Sequence, residues 1–305
     1  MASATEKVPS ELPDTVRPRR KLLPPEIAAR KGAGRLVMVA AYDVITARWA
    51  EAAGVDVILV GDSLGQVVLG YGSTVPVTVD EIVHHARAVA RGAAGTHIVA
   101  DMPFLAIGGG DTEAVRAAGR LMKEGGADSV KVEAGRALAP RVRRLVDAGI
   151  PVMGHVGLTP QTAGLLGGLK VQGGTLARAK EILSDAESLV DAGVYAIVIE
   201  VVPAELGAII TERVAVPTIG IGAGADTDGQ VLVAADLLGI TPQPGPRFIK
   251  RYADLATVSQ DALAAFSADV RSGIYPAPEH TYPMKAGVAD ALRDELADPT
   301  PADEL

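Results

Sequence analysis

The chain has 305 residues, with 29 Lys and Arg against 37 Asp and Glu for a formal net charge of −8, 48% hydrophobic residues, 3% aromatics and no cysteine. That balance argues against a surface built to coat nucleic acid or an anionic membrane while leaving room for a local basic pocket for an anionic substrate, and the missing thiols exclude disulfides, thiolate metal sites and cysteine nucleophiles. Plentiful Gly and Ala with so few aromatics suit helices packed closely on a parallel sheet, so the class expected is α/β. In chain order, residues 1–24 read as a flexible lead-in. They hold Pro and charged residues and the start of a basic run at Arg17 to Lys21, read as solvated, with no apolar signal segment. From Leu36 onward short apolar runs alternate with longer amphipathic ones, punctuated by Gly or Pro. Strands are predicted at Leu36–Ala41, Val55–Val60, His97–Ala100, Ser129–Glu133, Pro151–His155, Tyr195–Glu200 and Thr218–Ile221, with an eighth at Phe248–Tyr252. Helices are predicted at Ile45–Ala53, Val79–Arg91, Thr112–Glu124, Ala137–Ala148, Leu176–Ala192, Ala204–Arg213 and Asp228–Leu238. Glycines such as Gly54, Gly149 and Gly193 stop a helix just before a buried strand.

Seven or eight such units predict a (β/α)8 TIM barrel spanning residues 25–285, a single domain with flexible termini. An open doubly wound sheet is the alternative, because periodicity does not show whether the first and last strands meet. Residues 286–305 read as a partly disordered tail, acidic and carrying Pro299 and Pro301 toward its end. No apolar run reaches the roughly 18 to 20 residues of a membrane span, so a cytoplasmic protein with neither membrane nor nucleic-acid partner is expected.

Four acids close predicted strands: Asp62, Asp101, Glu133 and Glu200. Each alone is as well explained as a turn or helix-cap residue. In a barrel, however, the C-terminal strand ends converge on one mouth, and the four would then surround one small ligand. Asp62, Asp101 and Glu133 offer hard oxygen donors, which suit Mg2+. Two direct carboxylates, a chelating 2-keto acid and water would complete its octahedron, leaving one acid to act through water. Such a cation polarises a ketone and stabilises the enolate formed on loss of the adjacent proton. Lys131 lies two residues before Glu133, on the same strand face, where it would bind the substrate carboxylate or enolate oxygen, or bridge to a neighbouring acid. Glu200 follows Ala196-Ile197-Val198-Ile199, an apolar approach expected to raise its pKa and suit it as a base. His155 ends a strand and either hydrogen-bonds substrate or is a satisfied core histidine, whereas His84 and His85 sit on a helix and read as structural. Gly220-Ile221-Gly222-Ala223-Gly224 lacks the Gly-Lys-Ser/Thr of a phosphate loop and the setting of a dinucleotide fold, so no nucleotide reading is favoured.

The runs Leu59-Val60-Gly61-Asp62-Ser63-Leu64-Gly65 and Gly72-Ser73-Thr74-Val75-Pro76-Val77-Thr78 resemble the signature of the ketopantoate hydroxymethyltransferase family. Ala100-Asp101-Met102-Pro103-Phe104, Val130-Lys131-Val132-Glu133, Gly154-His155-Val156-Gly157-Leu158-Thr159-Pro160-Gln161 and Glu200-Val201-Val202-Pro203 continue the series, and the resemblance covers roughly residues 25 to 282. The resemblance implies a barrel of the phosphoenolpyruvate mutase and isocitrate lyase-like superfamily. It also implies transfer of a one-carbon unit from 5,10-methylenetetrahydrofolate to 3-methyl-2-oxobutanoate, giving 2-dehydropantoate, a step of pantothenate biosynthesis. Carried over by motif, Asp62 and Asp101 would coordinate magnesium with Glu133 in its shell, and Ser63 and Lys131 would bind the keto acid. Glu200 would take the C3 proton, and His155 would border the pocket. Members assemble as homodecamers. The chain departs from the family pattern at Leu105–Gly110 and within Thr162–Thr175, segments expected near substrate or folate. A paralogue acting on another 2-keto acid, a related carbon-carbon lyase, and a catalytically silent keto-acid binder are the rivals. The lyase reading lacks its cysteine motif, and the joint presence of Asp62, Asp101, Lys131, Glu133 and Glu200 weighs against a silent protein.

Overall fold

Eight parallel strands follow one another around a closed barrel in sequence order: β1 (Leu36–Ala40), β2 (Val57–Val60), β3 (His97–Asp101), β4 (Ser129–Glu133), β5 (Val152–Gly157), β6 (Ala196–Glu200), β7 (Thr218–Ile221) and β8 (Gly229–Val233). This is the α/β TIM barrel expected from the sequence, and β1 paired with β8 removes the open-sheet alternative. The structure is a computed structural model that describes residues 20–241 and 245–297. The lead-in at 1–19, with most of the basic run, and the end of the tail at 298–305 lie outside the described residues.

The helices are α1 (Pro24–Ala28), α2 (Val44–Ala52), α3 (Leu64–Val67), α4 (Val79–Gly92), α5 (Asp111–Lys123), α6 (Ala139–Asp147), α7 (Ala163–Leu166), α8 (Leu176–Asp191), α9 (Ala204–Arg213), α10 (Ala234–Leu237), α11 (Leu255–Ser272) and α12 (Val288–Ala297). Local chemistry sets several starts. The Asp43 carboxylate accepts from the backbone N–H groups of Ile45 and Thr46 at the head of α2, and Thr78 and Glu81 form a reciprocal capping box on α4. Every residue of β2 and β3 is buried, the near-continuous apolar reading of strands covered on both faces. Beneath them His97 Nε2 and Tyr195 Oη both meet Ser129 Oγ, at 2.9 and 2.8 Å, so the polar groups buried there satisfy one another.

The eighth strand corrects the sequence reading. It is Gly229–Val233, inside the segment predicted as helix Asp228–Leu238, while Phe248–Tyr252 forms no strand. A short apolar run such as Val231-Leu232-Val233 is ambiguous by periodicity, and only α10, four residues long, follows it. Strand closure needs the glycine at its start. A Cβ on Gly229 would stand 2.6 Å from the Leu36 carbonyl oxygen, too close for any side chain while the two strands pair.

Contacts divide the chain into two compact units, one through Ala253 and one from Asp254, a division within the 25–285 span read as barrel. The second unit contains α11, which the sequence reading did not mark, and α12, which lies in the segment read as tail. No helix among the described residues is long and apolar enough to cross a membrane.

Candidate active site

Strand register brings the singled-out polar residues together. Asp101 is the Cα partner of Lys131 across β3 and β4, Glu133 that of His155 across β4 and β5, and Gly157 that of Glu200 across β5 and β6. Asp101, Lys131, Glu133, His155 and Glu200, with Asp62 and Ser63 from the loop after β2, line one cavity of about 290 Å³ at the C-terminal ends of the strands. All the sequence-predicted site residues, Asp62, Ser63, Asp101, Lys131, Glu133, His155 and Glu200, therefore share one mouth. Leu169 lines it too, but none of residues 105–110 does, so only one of the two divergent segments borders the cavity.

Lys131 Nζ sits 2.8 Å from Asp101 Oδ1, both side chains about 5% exposed. Asp101 Oδ2 in turn accepts the backbone N–H of Asp62 at 3.0 Å. Lys131 also lies 3.3 Å from His155 Nδ1; the ammonium is the donor, which leaves the ring hydrogen on Nε2. That nitrogen stands 3.1 Å from Glu200 Oε2, within ion-pair range, yet it makes no directed hydrogen bond. The distance describes proximity of the two groups and the contact is electrostatic.

Burial and charge crowding act together in the cavity. Burial first, then the neighbouring Asp101, raises the Asp62 carboxyl to about 7 against the opposing pull of Lys131 and Gln161. Burial and the Asp62 charge likewise hold Glu133 well above the ordinary carboxylate range. For Lys131 burial opposes the charge, but Asp101, Glu133 and Asp62 outweigh it and its pKa rises. His155 is pushed down by burial and then by the Lys131 ammonium, with Glu200 pulling the other way, so its ring is neutral near pH 7. Glu200, 19% exposed at its side chain, is the most open of the four acids. The side chain expected to be enclosed by an apolar approach is thus the one nearest to solvent.

Two contributors escaped the sequence reading. Tyr42, two residues past the end of β1, has Oη 2.7 Å from Ser63 Oγ, and burial raises the pKa of its hydroxyl. Its strand-end position is the same signal that exposed the acids. Gln161, in the 3-10 turn Pro160–Thr162 that follows β5, donates from Nε2 to Asp62 Oδ2 at 2.8 Å, and nothing in its local pattern announces that role.

The donor set fits a hard divalent cation: four carboxylates face one ammonium in a buried cavity, where burial and then the neighbouring acids raise Asp62 and Glu133, and a cation would favour their charged forms. Among the described residues no three His, Asp or Glu side chains converge as a ready-made cage. A magnesium site needs only one or two protein carboxylates, the rest being supplied by substrate and water.

A closed parallel barrel with buried acids and one lysine around a small cavity at its C-terminal face is a (β/α)8-barrel enzyme. Its fold is similar to that of phosphoenolpyruvate phosphomutase from Streptomyces platensis subsp. rosaceus, with a TM-score of 0.53, 18% identity and coverage of 88% of this chain and 96% of that one. Phosphonopyruvate hydrolase, solved with oxalate and Mg++, gives a TM-score of 0.55 at 14% identity, covering 90% of this chain and 97% of that one. At such identities the likeness shows the fold alone.

Sequence comparison goes further. Residues 22–278 match the profile of ketopantoate hydroxymethyltransferase. The chain is 53% identical over 265 residues to the 3-methyl-2-oxobutanoate hydroxymethyltransferase of Moorella thermoacetica, covering 87% of this chain and 98% of that one. It is 55% identical over 248 residues to the enzyme of the same name from Thermus thermophilus, covering 81% and 95%. The chain belongs to the ketopantoate hydroxymethyltransferase family.

Proposed function

We propose that this protein is a 3-methyl-2-oxobutanoate hydroxymethyltransferase of pantothenate biosynthesis. It takes its one-carbon unit from 5,10-methylenetetrahydrofolate and requires Mg2+. The observation that carries the reading is the joint placement of Asp62, Asp101, Lys131, Glu133 and Glu200 around one cavity of about 290 Å³, in a chain more than half identical to enzymes of that name. The volume suits a small branched keto acid in its inner part.

Asp62 and Asp101 would hold the cation directly, with Glu133 beside them. When bound, it would polarise the ketone and carry part of the negative charge that develops there. Lys131 and the Ser63 hydroxyl bind the keto acid as an anion, and Tyr42 fixes the direction of that hydroxyl. Glu200, the most open of the acids, takes the proton from C3. Neutral His155 lies beside it, with Nε2 3.1 Å from Glu200 Oε2. Water cleaves both C–N bonds of the methylene unit at the open side of the mouth, releasing tetrahydrofolate and a formaldehyde equivalent; the C3 carbanion equivalent attacks that carbon, forming the new carbon-carbon bond, and the alkoxide takes up the proton held by Glu200 to give the hydroxymethyl product. A homodecameric assembly and a cytoplasmic location complete the proposal, supported by the family resemblance; light scattering of the 31.3 kDa chain tests the first.

The test of the chemistry is proton exchange. With Mg2+ in D2O, the C3 proton of 3-methyl-2-oxobutanoate disappears from the NMR spectrum in the presence of the protein, and addition of methylenetetrahydrofolate yields 2-dehydropantoate. Glu200→Gln abolishes the exchange. Metal-loaded protein that exchanges no branched keto acid would overturn the mechanism; exchange without product would overturn the donor or acceptor assigned.

A further inference from the structure

Behind two of the cavity's acids stands a side chain that is neither an acid nor a base. Gln161 is 9% exposed. Its Nε2 donates to Asp62 Oδ2 at 2.8 Å and to the Met102 carbonyl at 3.0 Å, using both amide hydrogens. Its backbone N–H donates to Glu133 Oε2 at 3.0 Å. One residue from the loop after β5 thus grips the carboxylates that follow β2 and close β4, together with the backbone just past β3.

Both bonds to acids run from a donor to a single carboxylate oxygen, Oδ2 of Asp62 and Oε2 of Glu133. Each leaves the other oxygen, Oδ1 or Oε1, outside the grip. A carboxylate free to rotate must lose that freedom when it binds a cation. One already held by an amide does not, and the ungripped oxygen is presented in a set direction. An amide suits this task because it stays uncharged. It donates to Asp62 without cancelling the negative charge that attracts a cation, as a second lysine would.

We propose that Gln161 is a positioning residue for the divalent cation, acting through Asp62 with its side chain and through Glu133 with its backbone. It presets the two acids for metal before any keto acid arrives. The inference rests on the magnesium reading above and extends it to a residue that does not line the cavity.

The test measures Mn2+ binding to the full chain by electron paramagnetic resonance, without keto acid or folate, so that the readout is independent of catalysis. Gln161→Met keeps the length and volume of the side chain and removes its donors. The expected result is Mn2+ affinity weakened by about 10-fold or more, in the range typical of lost partners behind metal ligands, with a folded far-ultraviolet spectrum. Gln161→Asn, a carboxamide one methylene too short to reach both Asp62 and Met102, is expected to lose affinity in the same direction and serves if the methionine variant does not fold. Unchanged affinity in a folded variant overturns the positioning role while leaving the magnesium reading intact. Absence of Mn2+ binding by the unaltered protein overturns both. A residue needed only for stability would lower the unfolding midpoint and leave the affinity of the folded protein unaltered, which also counts against the proposal.

Discussion

Gly157 offers the sharpest test of how the barrel places its base. It ends β5 at φ +96° as the Cα partner of Glu200, and a Cβ there would lie 2.3 Å from the Glu200 carbonyl oxygen and 2.9 Å from Val202 Cγ1. Gly157→Ala therefore incurs two separate costs: about 1–2 kcal/mol for an L residue held in a left-handed conformation, and about 1–3 kcal/mol for overpacking against atoms that must move. The expected loss of stability is their sum, about 2–5 kcal/mol. Gly149→Ala isolates the first cost, because Gly149 has φ +83° but nothing within 4 Å of its added Cβ. Urea unfolding of both variants gives the comparison. The Gly157 variant should lose at least about 1 kcal/mol more than the control. The neighbours that must yield are the Glu200 backbone and the residue two further on, so C3 proton exchange should also slow, by up to about 100-fold for a displacement near 1 Å. The Gly149 control exchanges normally. Equal stability losses in the two variants, or unaltered exchange in folded Gly157→Ala, would refute the reasoning that this close approach sets the position of Glu200.

Lys131→Met should lower stability at neutral pH by about 3–5 kcal/mol in urea unfolding, because it leaves Asp101 buried without its cation; a loss below about 1 kcal/mol would show that the pair contributes little. His97 predicts a pH dependence. Burial, with a smaller push from Lys21, lowers its pKa below 6.5 in the folded protein, against the opposing effects of Asp128 and the Leu22 carbonyl. Between that lowered value and 6.5 the unfolded chain binds a proton that the fold does not, so stability falls as pH drops through this window and gains nothing above it. Comparing unfolding midpoints of the unaltered chain and His97→Gln from pH 7.5 to 5 should show the variant with the flatter slope, the difference staying within the one-proton limit of about 1.4 kcal/mol per pH unit; parallel slopes would place the titration elsewhere.

Much of this was legible in residue order. The alternation of short apolar runs with amphipathic ones located seven of the eight strands to within a residue or two, and the period of two placed Lys131 and Glu133 on one face. Acids one or two positions past apolar runs marked the mouth. The eighth strand failed because three apolar residues fit either period and the helix after it has only four residues. Tyr42 was within reach of the strand-end argument and was passed over. Gln161 was not within reach, since its partner Asp62 lies 99 residues away.

The sequence by itself determined the βα order, the identity of the charged groups at the strand ends and the family. Each is a property of neighbours along the chain, or of motifs read directly from it. Tertiary structure alone decided that β8 closes on β1 where Gly229 permits contact, that Asp62 and Glu133 carry raised pKa values while His155 stays neutral, and that Gln161 grips two acids. Charge states and hydrogen bonds depend on distances of a few ångströms and on the water removed around each group. Those distances join residues tens of positions apart, and they exist only once the barrel has closed.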